Sequence, residues 1–344
     1  MSDYQNVSSL LKVLCSANGT SGDETDAANA AAEMLKKYMN VEISPLGSVI
    51  GTLDGSGVHI LLDAHIDQIG LTVTSIDETG FLKVAKCGGA DVRVLAASDV
   101  TVHGKEDIFG VVISTPPHLA SKEDEGKVKG FDEIAIDIGL SKEEAEKIVS
   151  PGDRITFNGS FDELLGGRFA SPCIDDRAGA AAILRALELL DGKKGNAKIT
   201  VMFSTQEETG GSGAMTGAFS VQADEAIAVD VSFASAPNVS SEKYASLGKG
   251  TMIGYAPSLD FEMSKKLKLL AEENEIPFQT EVMGGRTGTN CDEIQNSGRG
   301  CRTALLSIPI RNMHTAVEVC DEADIENTAR LIAAYIAERG GMNA

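Results

Sequence analysis

The sequence predicts an α/β protein, a mixed sheet flanked by helices and interrupted by an inserted small β-barrel or sandwich. Three observations predict it. On either side of residues 72–166, helical patterns alternate with apolar strand-like runs, as in sheets covered by helices. Within 72–166, short strand-like runs follow one another closely, with a single helical pattern among them. The length of 344 residues leaves room for two units at ~100–200 residues each.

The elements follow in order. Residues 5–38 carry two helical patterns split by the turn-rich stretch 16–22. The second, DETDAANAAAEMLKKY, starts acidic and ends basic, in keeping with the helix dipole. VEISPLGSVIGTLDG and VHILLDAHIDQIGLTVTSI read as strands, apolar and β-branched between Gly, Asp and Ser turns. FLKVAK, DVTVHG, IFGVVIST, EIAIDIG and DRITFNG are short strands, and SKEEAEKIVS is a helix. Beyond them come DRAGAAAILRALELL (helix), KITVMFST and AIAVDVS (strands), DFEMSKKLKLLAEEN (helix), RTALLSIPI (strand) and ADIENTARLIAAYIAE (helix). The expected division is therefore 1–71 with 167–344 as one domain and 72–166 as the insert. There is no internal repeat, and GGSGAMTG is too short for a linker.

Composition narrows the function. Hydrophobic residues at 42% and charged residues at 24% are those of a globular chain. Lys and Arg number 30 against 51 Asp and Glu, a formal net charge of −21. That excess argues against a nucleic-acid or anionic-membrane partner, because phosphates require a positive footprint. No apolar run reaches the ~18 residues of a membrane span, and AGAAAILRALELL carries Arg185 and Glu188. The opening residues lack a basic region followed by an apolar stretch, so no secretory leader is expected. Six widely spaced cysteines without a C-x-x-C pair read as reduced thiols, and the expected location is cytoplasmic.

Five segments carry candidate chemistry. LLDAHIDQIG places His65 and Asp67 after an apolar run, and SPCIDDRAG places Asp175 and Asp176 just before a helix. VMFSTQEETGG offers Glu207 and Glu208, AIAVDVS places Asp230 at the end of a buried strand, and IPIRNMHTAVE offers His314. Ligands in open α/β sheets gather outside the carboxyl ends of the strands, where these segments would converge. Two histidines and at least four carboxylates without cysteine suit Zn²⁺, Co²⁺ or Mn²⁺ rather than a thiolate-rich structural site. With one carboxylate bridging, five ligands give two ions three protein ligands each and leave positions for water, as metal-assisted hydrolysis requires. Asp67 can accept the other imidazole N–H of His65 and fix its tautomer. In the Glu207–Glu208 pair one carboxylate binds metal while the other moves a proton; if Glu208 is the ligand, Glu207 is the base. Each signal has a bland alternative: a hydrogen-bonded H-x-D pair, a helix-capping aspartate, an ordinary surface E-E. Asp230 is hardest to dismiss, since a carboxylate ending an apolar strand must find a cation or donors. His59, His103 and His118 read as structural.

At these segments the sequence resembles the tetrahedral aminopeptidases, also described as glutamyl or deblocking aminopeptidases, of the co-catalytic zinc exopeptidase clan. AHIDQIG, IDDRAG, QEETGGSGA, AVDV and IPIRNMHTAVE match that family's metal-site segments in order. GVVISTPPHLA and EIAIDIGLSKEEAEKIVSPGD resemble its small β oligomerisation domain. The resemblance implies two divalent ions per subunit, zinc first, with cobalt or manganese as alternatives. It implies His65, Asp175 and Asp230 on one ion and Asp175, Glu208 and His314 on the other, with Glu207 as general base and Asp67 as orienting residue. It further implies removal of amino-terminal residues from short peptides by a metal-activated water, and a homo-oligomer of dimers building a twelve-subunit tetrahedral shell. One departure stands out. Where the family has Gly-Thr-Asp, this chain reads Gly288, Thr289 and Asn290, which removes a charge near the expected substrate region and bears on side-chain preference, not on the metal set.

Two other functions compete. A glycoside hydrolase would use a carboxylate pair, and members of this family have carried an endoglucanase label. That chemistry needs no histidine ligands, and a chain with 5% aromatics and no Trp lacks sugar-stacking platforms. A non-catalytic metal-binding shell would not need the complete set of base and ligands.

Overall fold

Two short helices open the chain with their apolar stripes turned to one core. The structure, a computed structural model, describes residues 6–119, 127, 130–237 and 244–342; Gln5 of the first helical pattern and Ala120 of the GVVISTPPHLA segment lie outside the described residues. Asn6 caps α1 (Val7–Cys15) by accepting the Ser9 N–H, and Val7, Leu10, Leu11 and Leu14 are buried at helical spacing. Helix α2 (Thr25–Leu35) buries Ala27, Ala28, Ala31 and Ala32, small residues that bring it close to the sheet.

Strands β1 (Asn40–Ile43), β2 (Val49–Leu53) and β3 (His59–His65) follow. The chain then builds β4 (Gly70–Ile76), β5 (Leu82–Cys87), β6 (Asp99–His103), β7 (Asp107–Ser114), β8 (Ile134–Asp137), α3 (Lys142–Ile148) and β9 (Arg154–Phe157). The six strands close into a barrel in the order β4-β5-β8-β7-β6-β9. Alternation explains it: Val100 and Val102 of β6 point inward to a core with Leu71, Val73, Leu82 and Ile136.

The return to the main sheet runs through β10 (Asp162–Leu164), β11 (Arg168–Ser171), α4 (Ile174–Leu190), β12 (Lys198–Ser204), α5 (Ser212–Val221) and β13 (Glu225–Phe233). It ends with β14 (Thr251–Tyr255), α6 (Phe261–Glu273), β15 (Phe278–Val282), α7 (Cys291–Ile294), β16 (Arg302–Ile310), β17 (Glu318–Asp321) and α8 (Glu322–Arg339). The sheet has eight strands in the order β1-β2-β12-β3-β13-β16-β14-β15. It is mixed: β12, β3, β13 and β16 are mutually parallel, and β2 and β14 pair antiparallel to this centre. Buried on both faces, the central strands read as continuous apolar runs. Helices α1, α2, α4, α6 and α8 cover one face, and α5 and α7 the other. Strands β10, β11 and β17 form a separate small sheet. No described helix is long and apolar enough to cross a membrane.

Candidate active site

The parallel strands deliver their carboxyl ends to one edge, and the candidate residues stand there. His65 is the last residue of β3, level with Ser204 at the end of β12. Glu207 and Glu208 follow in the next turn. Asp230 was expected to end its strand, but β13 runs on to Phe233, paired with β16 through Ile310. Asp175 and Asp176 open α4 with non-helical φ/ψ, and the peptide between them is cis. This geometry separates the two aspartates. Asp176 Oδ1 accepts the Gly179 N–H at 3.0 Å and so caps the helix, while Asp175 turns to the site.

Asp175 is central. Its Oδ1 lies 3.0 Å from His65 Nε2 and its Oδ2 3.3 Å from His314 Nε2. His314 Nε2 also lies 3.4 Å from Glu208 Oε1, and His65 Nε2 lies 4.0 Å from Asp230 Oδ1. Two groups result, His65 with Asp175 and Asp230, and Asp175 with Glu208 and His314, each with ligand atoms within 4.8 Å of one another. That spread is close to the ~3–4 Å between ligands that stand about 2 Å from a common ion. The Glu207 carboxylate lines the same cavity and makes no hydrogen bond or ion pair among the described residues.

Three buried carboxylates brace the backbone beneath. Asp67 accepts the N–H groups of Glu207 at 3.0 Å and Glu208 at 3.1 Å. His65 Nδ1, expected to donate to the Asp67 side chain, sits 3.1 Å from the Asp67 carbonyl oxygen and 3.4 Å from its Oδ1. Both Asp67 oxygens, backbone and carboxylate, thus face that imidazole nitrogen while the carboxylate also holds the glutamate turn. Glu24 accepts the Gln206 N–H at 3.2 Å, just before that turn, where Gln206 has φ +61°. Glu318 accepts the N–H groups of Asp175 and of His314, itself at φ +62°.

Charge is concentrated here. Burial pushes Glu208 up to about 8, with the Asp175 charge adding, and it lifts Glu207 and Asp230 as well. Burial also raises Asp175, but hydrogen bonds from His314 and His65 outweigh it and hold that carboxyl below its ordinary range. The Asp175 hydrogen bond lifts His314 to about 9; for His65, burial lowers the pKa while Asp175 and Asp67 raise it further. Imidazole and carboxylate donors crowded in a low-dielectric edge fit divalent cations, whose charge relieves the same repulsion.

The cavity holds about 720 Å³. Sequence reasoning missed one wall, the barrel turn Gly88–Gly89. A Cβ at Gly89 would lie 2.2 Å from His314 Nδ1, and one at Gly88 3.1 Å from Glu208 Oε2. The adjacent glycines in KCGGAD are the signal of close approach that could have found it. Glu318 and Glu24 carry no such signal, since a brace on backbone N–H groups is invisible in a linear chain. Asn290 follows Thr289 of the cavity wall. It is buried, outside the cavity lining, and its Nδ2 donates to Asp63 Oδ2 at 2.9 Å and Ser204 Oγ at 2.8 Å. His59 and His103 bond to Thr200 and Thr156 away from the site.

A cavity with clustered imidazoles and carboxylates at the carboxyl edge of a mixed sheet is the layout of a metal-dependent hydrolase. Residues 47–331 match the family model described as M42 glutamyl aminopeptidase. A lysyl aminopeptidase of Pyrococcus furiosus is 36% identical over 338 residues, covering 96% of both chains. The structure of an aminopeptidase from the archaeon Desulfurococcus kamchatkensis superposes with a TM-score of 0.90 at 33% identity, covering 96% of this chain and 94% of that one. A Pyrococcus horikoshii TET1 peptidase, which can assemble into a tetrahedron or a large octahedral shell, gives 0.84 at 32%, covering 96% and 99%. The chain belongs to the M42 aminopeptidase family. It is a hydrolase of that class, and membership implies divalent metal ions.

Proposed function

We propose that this aminopeptidase removes amino-terminal residues from short peptides with two divalent ions, one held by His65, Asp175 and Asp230 and the other by Asp175, Glu208 and His314. The observation that carries this reading is Asp175, which turns one carboxylate oxygen to each imidazole. Zinc is the first choice of metal, with cobalt or manganese as alternatives, because N and O donors without thiolate accept all three. When bound, the ions supply Lewis-acid activation of a water and polarisation of the scissile carbonyl. Glu207, without a partner among the described residues and lifted by burial, takes the proton from water and returns it to the leaving amine. Asp67 holds the Glu207–Glu208 turn in register with the ligands. Residues 1–71 with 167–344 form the catalytic domain. The 72–166 insert, which contains all of the barrel but the first two residues of β4, serves oligomerisation in a homo-oligomer of dimers building a tetrahedral dodecamer, in a cytoplasmic protein. The shell-forming relative supports that assembly. A glycoside hydrolase is not favoured, given the family and the histidine-containing ligand set.

The test is aminoacyl-anilide hydrolysis with chelation and reloading. Activity should disappear with chelator and return with Zn²⁺ or Co²⁺. Glu207→Gln should bind metal as the native protein does, by equilibrium dialysis, while losing about 10²–10⁴-fold in kcat. Near-normal turnover of that variant overturns the base assignment.

A further inference from the structure

Family membership leaves open which amino-terminal residue the cavity receives. From Asp230 the cavity continues toward the edge strand β15, where its far wall carries the partly buried Glu281. The Ser307 hydroxyl donates to Glu281 Oε2 at 2.8 Å, and the Ser232 hydroxyl donates to Oε1. Ser307 pairs in register with Asp230, so the hydroxyl that holds Glu281 stands on the strand next to the metal-competent row, about 4.8 Å away. Hydroxyl donors orient a carboxylate without neutralising it. Among the described residues no Lys or Arg lines the cavity and none pairs with Glu281.

The walls of the same cavity include Val231, Phe233, Met283, Leu305 and Met313. Apolar sides ending in an oriented, unpaired carboxylate suit a side chain with a long methylene stem and a cationic head. A glutamyl side chain would meet Glu281 with no cation among the described lining residues to offset the repulsion. We infer that Glu281 is a specificity residue that makes this cavity select peptides beginning with lysine or arginine, its carboxylate receiving the side-chain cation. The inference rests on the aminopeptidase reading and deepens it.

The experiment compares lysyl, arginyl, norleucyl and glutamyl anilides on the metal-loaded full-length protein and on Glu281→Gln. Norleucine keeps the lysine stem without the charge, and a ratio measured within one preparation cancels differences in folded fraction. The native protein should favour lysyl over norleucyl anilide in kcat/KM by at least about tenfold. Glu281→Gln should collapse that ratio, chiefly through KM, and Glu281→Lys should shift preference toward the glutamyl substrate. A lysyl-to-norleucyl ratio unchanged by Glu281→Gln overturns the inference, as does an equal loss on all four substrates or a native preference for glutamyl anilide. If the native enzyme is active with that unchanged ratio, only the inference falls. Inactivity on all four overturns the aminopeptidase reading and the inference together.

Discussion

Glu318 accepts the backbone N–H of Asp175 at 2.9 Å although 143 positions separate them, and its other oxygen accepts the N–H of His314 at 2.8 Å. One buried carboxylate thus fixes the main chain beneath two candidate ligands proposed for one ion, and so sets where their side chains emerge.

Glu318→Gln leaves one acceptor oxygen and turns an amide N–H₂ toward a backbone donor. Loss of such a supporting contact costs metal affinity or activity about 10–100-fold. Equilibrium dialysis with Zn²⁺, read beside anilide kinetics, should show affinity and kcat/KM falling together. Native affinity in a folded variant would rule the brace out.

Gly89 touches the site from the barrel. A methyl group there would lie 2.2 Å from the ring Nδ1 of His314, a residue whose backbone N–H Glu318 holds. Gly89→Ala should displace the imidazole and cost about a hundredfold in kcat/KM, the scale of an ångström-level misplacement. Its melting temperature should stay close to native, because the ring can swing into the cavity. Unchanged kinetics would show that the turn tolerates the methyl group and does not constrain His314.

The buried Asp63–Asn290 pair predicts a pH dependence of stability. Burial lifts the Asp63 carboxyl from 3.8 to about 7, despite hydrogen bonds from Ser204 and Asn290 that pull it down. A raised carboxyl keeps its proton in the folded state after the unfolded chain has released it. Its contribution is therefore lost as pH rises from about 4 to about 7, and levels off beyond. Asn290→Asp sets a second carboxyl in the same pocket, where both cannot ionise cheaply. The variant should melt well below the native protein at pH 8 and approach it at pH 5. An equal gap at both values, by differential scanning fluorimetry, would exclude this coupling.

Much of the candidate site was legible because burial constrains charge. His65, Glu207, Glu208 and His314 follow apolar runs, and Asp230 interrupts one, where an ionised side chain must find donors or a cation. Parallel strands then bring their carboxyl ends to one edge whatever the sequence distance. The choice between Asp175 and Asp176 was not legible, because both precede the same helix and only the backbone angles show which one caps it. The bonding of Asn290 was not legible for a related reason: nothing in a polar residue after Gly288 and Thr289 shows that its amide donates to Asp63 inside the core. Glu281 stood out in no pattern, since β15 is a half-exposed edge strand of mixed residues.

Local periodicity, apolar runs and turn residues determined the helices, most strands and the α/β class, because each depends on neighbours a few positions away. The small sheet of β10, β11 and β17 escaped that reading, as did β14, β15, α5 and α7, whose short or glycine-containing segments are stabilised by what they pack on. Tertiary structure alone decided which carboxylate faces a ligand and which holds a backbone, and which glycines stand against the site. Those outcomes turn on ångström distances between residues far apart in the chain, and such distances exist only once the sheet and barrel have closed around them.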